Sequence, residues 1–490
     1  MGIYWNEEDL EQFAEQCQAQ ELVELQLARF RNGVEPVHLI DACIPSNGIL
    51  TLSKFEVEKY AMKYANETRF SRIKFVPASG AASRMFKHLF DHDSENELYQ
   101  EFIHRVSEFP FFMQLKNHLE QKGEDIDLLR EKGEWKFVVD TLLGPTGLHF
   151  ASLPKGAIPF HFTNRSSIIP FEEHVLEALA YAHSSEDARV HYTVGDLFSQ
   201  QLEDSLRSFA KQEGAFNQRK VKLGFSKQYP ETDTIAVDAE NNPFRNDEGR
   251  LVFRPGGHGA LLANLQAIEE DVVFIKNIDN VLPSDKRVEH DLYKKAIAGY
   301  LIWLVDQRNA LMKELDQRKV GAAEAVVLFL NQFSFSPLKN LSFDDLRAAL
   351  DAPIRIAGMV RNQGEPGGGP FWVKSADGSV KKQIIEKAQI DLQNTRQAEI
   401  LNKSTHFNPV DLVCHFKNEK GERYDLQRYS DLNQAFISTK FMNGRSLKAL
   451  EHPGLWNGSM AKWLTVFIEV PLATFAPVKT VNDLLREAHR

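Results

Sequence analysis

The chain has 490 residues, a formal net charge of −10 at pH 7, 43% hydrophobic and 26% charged residues. This is long enough for two or three domains and ordinary for a soluble globular protein. The acidic balance argues against a general nucleic-acid binder, and the longest apolar runs, such as Leu301–Val305 and Ala325–Leu330, are too short to span a bilayer.

Three cysteines, Cys17, Cys43 and Cys414, lie far apart and show neither a disulfide framework nor zinc-ligand spacing. The N-terminus is acidic and lacks the basic and apolar regions of a signal peptide. Together these features predict a cytoplasmic protein.

Residues 5–70 read as helical. Asn6 is positioned to cap a helix, with Asp9 facing back in a capping-box arrangement. Leu10, Phe13, Ala14 and Cys17 follow the i, i+3, i+4, i+7 pattern, which places Cys17 on a core stripe. Val23, Leu27 and Phe30 continue it up to Gly33.

At Arg72 the pattern changes. Arg72–Val76 reads as a strand, a loop of small residues runs from Pro77 to Arg84, and a helix is predicted from about Met85. Such a loop lets backbone N–H groups approach a polyphosphate, and the helix N-terminus adds a positive field. Tight packing of small residues is the plainer use of the same pattern. Residues 91–150 read as an inserted helical segment, and Pro154-Lys155-Gly156 as a loop that presents Lys155 to solvent.

A helix from Pro170 to Ala182, a strand over Ala188–Thr193, a helix from Asp196 to Ala210 and a strand over Val221–Phe225 follow. A second glycine-rich loop, Pro255-Gly256-Gly257-His258-Gly259, leads into a helix from Leu261. Next comes Val272–Ile275, with the length and β-branching of a buried parallel strand. It ends in Asn277-Ile278-Asp279-Asn280. Ligands of open α/β sheets bind beyond the carboxyl ends of strands, and a carboxylate flanked by amides suits a hard cation. Taken alone, the same residues would serve in an Asn/Asp turn.

Residues 286–350 return to amphipathic helix. Gly364–Trp372 reads as a mobile or substrate-enclosing loop by composition. Strands are predicted over Gln383–Glu386 and Phe467–Val470. The strand–helix alternation from 72 to 281 predicts an α/β fold with a doubly wound, mostly parallel sheet. The expected parts are a helical N-terminal segment (1–70), a nucleotide-binding core (71–285, with its insert over about 91–150), a helical insert (286–350), and a C-terminal part (351–490) that completes the core.

Several of these pieces, in this order, resemble the UDP-sugar pyrophosphorylases of the UDP-glucose and UDP-N-acetylglucosamine type. Ala78-Ser79-Gly80-Ala81-Ala82-Ser83-Arg84-Met85 resembles that family's Gly-Gly-x-Gly-Thr-Arg loop, with Ser79 and Ala82 standing where glycines are usual. Pro154-Lys155-Gly156 resembles its Pro-Lys-Gly, here displaced by the insert. Phe225-Ser226-Lys227-Gln228 is similar to its Phe-x-Gln, and Pro255–Gly259 to its Pro-Pro-Gly-His-Gly. Asn277–Asn280 resembles its Asn-x-Asp-Asn. Ile384-Ile385-Glu386 resembles its Val-Glu-Tyr, with Lys387 in place of the tyrosine. Phe407-Asn408 resembles its Phe-Asn-x-Asn-Asn, with Asp411 in place of the last asparagine. Pro477-Val478-Lys479 followed by Asp483-Leu484-Leu485 resembles its Pro-Val-Lys-x-x-x-Asp-Leu-Leu. The chain itself looks like a member of a bacterial family of unknown function.

The resemblance implies a core of glycosyltransferase-A type that joins a nucleoside triphosphate, UTP by preference, to a sugar 1-phosphate with Mg²⁺. By the same resemblance, Asp279 and Asp411 would hold the metal. Arg84, Lys155 and Lys479 would neutralise phosphates. Ala78, Ser79, Gly80, Gly257, His258 and Gly259 would line the nucleotide, and Gln228 would read the base. Asn277, Glu386 and Asn408 would meet the sugar. Two alternatives stay open at this point: a nucleotide-sugar-binding protein without catalysis, and a glycosyltransferase on the same sheet.

Overall fold

The computed structural model describes residues 5–93, 95–162, 167–365 and 367–490. The chain forms two compact units. The first comprises Met1–Tyr64, Gln228–Val272 and Ala296–Val470; the second comprises Ala65–Lys227, Val273–Lys295 and Pro471–Arg490.

The second unit is built on strands in the order Val272–Lys276, Arg72–Pro77, Asp187–Thr193, Lys220–Ser226. The last three run parallel, with Lys74 opposite Val190 and Val190 opposite Leu223. Phe75, Val76, Val273 and Ile275 are fully buried. Each such side chain contributes about 1.5–3 kcal/mol through burial. The connecting helices are Pro170–Tyr181 and Gln200–Phe216. Pro170 opens the first, and the Ile169 N–H donates to the Glu172 carboxylate (3.0 Å). Ser199 caps the second by accepting from the Leu202 N–H (3.2 Å).

The 91–150 stretch forms four short α-helices: Glu97–His104, Phe112–Gln121, Ile126–Glu131 and Trp135–Leu143. Their apolar faces, with Phe102, Phe109 and Phe111, share one core with Met85, Phe86, Val478, Val481 and Leu484. The insert thereby anchors the segment that carries Lys479. Asn482 reinforces the anchor, donating to Leu98 O (2.9 Å) and to the Glu101 carboxylate (2.8 Å).

In the first unit, Ile44–Pro45, Gly48–Leu50, Leu464–Glu469 and Ile354–Arg361 run parallel, and Asp411–His415 pairs antiparallel with the last. Two smaller antiparallel sheets accompany them. One is Phe253–Arg254, Thr234–Val237, Arg445–Glu451, Phe436–Met442; the other is His38–Ala42, Gly369–Lys374, Val380–Ile385.

The Asn6 capping box forms as expected: the Asp9 N–H donates to Asn6 Oδ1 (2.8 Å) and the Asn6 N–H to Asp9 Oδ2 (3.2 Å). Its helix ends at Glu15, however, and the predicted stripe breaks there. Cys17 is exposed at φ 51°, and Leu10 is 44% exposed. The buried residues of this helix are Asp9, Gln12 and Phe13, because Arg245 reaches across to pair with Asp9 (2.8 Å).

Three further expectations change. The predicted helical stretch 5–70 contains the strands His38–Ala42, Ile44–Pro45 and Gly48–Leu50. The helix expected at Met85 is replaced by the 3-10 turns Ala82–Arg84 and Lys87–Leu89, because Met85, Phe86 and Leu89 are all drawn into the insert core. Gly369–Trp372, expected in a mobile loop, is buried strand paired with Val380–Ile385; Pro366 of that loop lies outside the described residues. Among the described residues, no helix is long and apolar enough to cross a membrane.

Candidate functional site

The Val272–Lys276 strand is buried along its length and delivers Asn277–Asn280 at its carboxyl end. Two other segments fix this tip. The Ile278 N–H donates to Pro77 O (3.4 Å), and the Val478 N–H donates to Asp279 O (3.1 Å). Asn280 Oδ1 accepts from the Ala476 N–H (3.0 Å).

A third segment brings Lys155. The Lys155 N–H donates to Gly80 O (2.9 Å), and the Ala82 N–H to Leu153 O (3.0 Å). Gly156 permits the approach, since a Cβ there would sit 2.7 Å from Phe171 and 2.8 Å from Ile278 side-chain atoms. Lys155 is therefore not presented to solvent as the sequence suggested. Its side chain is 14% exposed, and its ammonium donates to Asp279 Oδ2 (2.6 Å) and to Val478 O. Lys479 reaches the same oxygen at 3.4 Å, with 54% of its side chain exposed. Asp483 orients that lysine's turn by accepting from the Lys479 N–H (2.6 Å) and Thr480 N–H (2.7 Å).

Burial pushes the Lys155 ammonium below its usual pKa, against the pull of Asp279. Burial also opposes ionisation of Asp279, but Lys155 and Lys479 outweigh it and hold the carboxyl below its usual range. The Asp279 carboxyl is thus ionised at neutral pH. Beside them the small-residue loop is open. Ser79 and Gly80 are exposed, and a Cβ on Gly80 would meet nothing within 4 Å. Arg84 is exposed and makes no ion pair among the described residues. Ala78 is buried, its N–H donating to Thr193 O (2.9 Å).

Among the described residues, those around Asp279 hold no ready-made metal cage; a hard cation there would be shared with substrate phosphates. One oxygen of the only expected ligand in this unit already holds two ammonium groups, and no three His, Cys, Asp or Glu side chains converge among the described residues. A cation there would compete with Lys155 for Oδ2.

Under the site lies a set of charged residues that sequence reasoning missed. Lys74, Glu177, Lys276 and Lys294 are at most 2% exposed. Glu177 accepts from Lys74, from Lys276 (2.7 Å) and from the Tyr181 hydroxyl (2.8 Å). Lys276 also contacts His290 Nε2 (2.8 Å). Burial pushes the Lys74 ammonium down to about 7, and it lowers Lys276 as well. Burial disfavours the Glu177 carboxylate, yet Lys276 and Lys74 together hold it well below its usual range. Lys276 directly precedes the Asn277–Asn280 tip, so the buried glutamate anchors the strand end. The one available signal was a lysine inside each of two apolar strands.

Asn277 aside, the other expected residues belong to the first unit, where most are engaged by the chain itself. Gln228 donates to Asp233 Oδ1 (3.0 Å). Gly257 has φ 72°, and a Cβ on it would lie 2.7 Å from Glu451; one on Gly259 would lie 2.2 Å from Pro453 O. These glycines let their loop pack closely against the 451–453 segment. His258 stacks on Trp456 at 4.2 Å, and its Nδ1 accepts from the Leu455 N–H (3.0 Å), which leaves the proton on Nε2. Asn408 is engaged by the chain: it donates to Gly358 O (2.9 Å) and accepts from the Val410 N–H (3.1 Å). That turn holds Val410 at φ 57°, a strained conformation for a β-branched residue. Asp411 follows it, buried beside Gly358. Glu386 is raised above its usual pKa by burial, opposed by a hydrogen bond from Asn457. Asn277 is half-buried at the second unit's strand tip.

Burial pushes His258 down to about 4, and it does the same to His415, whose Nδ1 contacts Asp271 O (2.8 Å). Both are neutral when folded, while the unfolded chain protonates near pH 6.5. Between pH 6.5 and 4 the unfolded state binds more protons, so stability falls as the pH falls. Each histidine should cost about 1.4 kcal/mol per pH unit in that window. Urea midpoints followed by tryptophan fluorescence from pH 7 to 5 measure this; a flat profile would contradict neutral burial.

The fold is mixed α/β with a largely parallel sheet. The chain belongs to the family described as a domain of unknown function (DUF4301), whose model matches residues 6–490. No curated protein matches it significantly. Among solved structures it is similar to the UDP-glucose pyrophosphorylase of Leishmania major, at 12% identity and TM-score 0.43, covering 97% of this chain and 77% of that one. A mutant of that enzyme in complex with UDP-glucose gives 13% identity and TM-score 0.45, with the same coverage. The UDP-glucose phosphorylase of Trypanosoma brucei gives 12% identity and TM-score 0.44, covering 98% and 80%.

Proposed function

We propose that the protein is a sugar-1-phosphate nucleotidyltransferase with a nucleotide-binding core of glycosyltransferase-A type. The observation that carries this reading is the Lys155–Asp279–Lys479 cluster at a strand's carboxyl end, beside the open Ser79–Gly80 loop. In the reaction, an oxygen of the sugar phosphate forms a bond to the α-phosphorus of the nucleoside triphosphate, and the bond to the departing pyrophosphate breaks. The nucleophile is already ionised at neutral pH, so no base is required. The barrier lies in bringing anions together and stabilising charge.

Lys155 supplies a buried, fixed positive charge. Lys479 and Arg84 are exposed, where phosphates can reach them. Asp279 keeps both lysines charged and aimed until phosphate oxygens take over as their partners.

The test is pyrophosphate release with the four nucleoside triphosphates and a panel of sugar 1-phosphates, with and without Mg²⁺. Release with one pair, lost in Asp279→Ala, is the expected result. A second reading draws on the 3-10 turn at Ala82–Arg84, which offers no α-helix N-terminus to the phosphates. It is a nucleotide-sugar-binding protein without turnover. A thermal shift with UDP-sugar and no release from any pair would favour it.

A further inference from the structure

A cavity of about 620 Å³ lies within the first unit, lined by residues between Leu330 and Thr465. That size is typical of small-molecule sites, which pair apolar walls with a few polar groups. Leu330, Phe333, Ala348 and Trp463 supply apolar wall. The charged lining is one-sided: Lys339, Lys381, Lys382, Arg428 and Lys462 stand against the single carboxylate of Asp345.

That carboxylate is already engaged. Asp345 Oδ2 accepts from the Ser342 N–H (3.0 Å) and hydroxyl (2.7 Å) in a helix cap. Asp377, near Lys381, is bound in the same way by the N–H (2.9 Å) and hydroxyl (2.7 Å) of Ser379. Lys382 is the critical group. It is 5% exposed, and its ammonium donates to Gln332 O (3.1 Å) and lies 5.5 Å from the centre of the Trp372 ring. No carboxylate pairs with it among the described residues, and burial pushes it down to about 8. A buried ammonium held by a carbonyl and a ring face, with no counter-charge, is unfavourable until an anion arrives.

We propose that this cavity binds an organic anion with an apolar body: a phosphate, sulfonate or carboxylate head on an aromatic or alkyl group. The head lies among the cationic side chains of the lining, Lys381, Lys382 and Lys462, and the body covers Phe333 and Trp463. None of these residues belongs to the transferase site, so the two readings stand or fall separately.

The probe is 1-anilinonaphthalene-8-sulfonate, titrated by fluorescence against the full chain, beside its neutral relative N-phenyl-1-naphthylamine. One sulfonate dye should bind per chain, and the neutral dye should bind about tenfold more weakly, as expected for loss of a charge-assisted contact. Lys382→Met and Lys462→Glu should each weaken the sulfonate dye by about five- to tenfold with unchanged far-UV circular dichroism. Lys462 is exposed, so its variant decides the matter if Lys382→Met does not fold. Equal binding of the two dyes, or sulfonate binding unchanged in Lys462→Glu, overturns the proposal.

Discussion

Glu177→Gln should destabilise the second unit by about 3–5 kcal/mol, the cost of removing one partner from a buried ion pair. Glu177 is fully buried and holds both Lys74 and Lys276. Glutamine has the same shape but no charge, so two buried ammonium groups would face each other uncompensated. The two lysines would then release protons, and the loss should deepen as the pH is lowered and they must recharge. Replacing Lys74, Glu177 and Lys276 together with Met, Leu and Met should recover much of the loss, because the site becomes apolar. Chemical denaturation monitored by circular dichroism measures both variants. A loss below about 1 kcal/mol for Glu177→Gln would mean that water already reaches the cluster.

On the proposed transferase reading, Lys155→Met should lower kcat by about 10²–10³, whereas Lys479→Met should act mainly on KM, by about tenfold. The two lysines share one oxygen of Asp279 but differ in freedom. Lys155 is 14% exposed and tied to Val478 O; Lys479 is 54% exposed. A preorganised buried charge stabilises the transition state without rearrangement, while a mobile surface charge mostly helps to collect the substrate. Steady-state pyrophosphate release in both variants separates these roles. Equal effects on kcat would show that the burial difference is irrelevant to the chemistry.

Much of this arrangement is legible in the residues themselves. Local signals survive folding. The Asn6–Asp9 box depends on atoms three residues apart. The Arg72–Pro77 and Val272–Lys276 strands follow from apolar runs that can only be buried. The convergence of Lys155, Asp279 and Lys479 had no such local signal; it was expected only through the order of short motifs. What stayed hidden depends on partners far away in the chain. Glu177 reads as one acidic residue on a helix until two lysines about a hundred positions away arrive. Cys17 fits a helical period, but the helix had already ended. The tight packing at Gly257 and Gly259 was hidden too, since Glu451 and Pro453, which occupy the space side chains there would need, lie nearly two hundred positions on.

The second unit is drawn from three separate stretches of chain, Ala65–Lys227, Val273–Lys295 and Pro471–Arg490. Lys155, Asp279 and Lys479 come from a different stretch each. During synthesis, the first two can meet long before the third exists. Until Pro471–Arg490 emerges, Asp279 lacks one of its two cations and the insert core lacks Val478, Val481 and Leu484. A nascent chain therefore carries an unfinished charge cluster and an open apolar surface, and both are completed by the same late event. No single continuous fragment of the second unit can be excised with the cluster intact, and closing it means joining segments at high sequence separation, which is a slow step in folding.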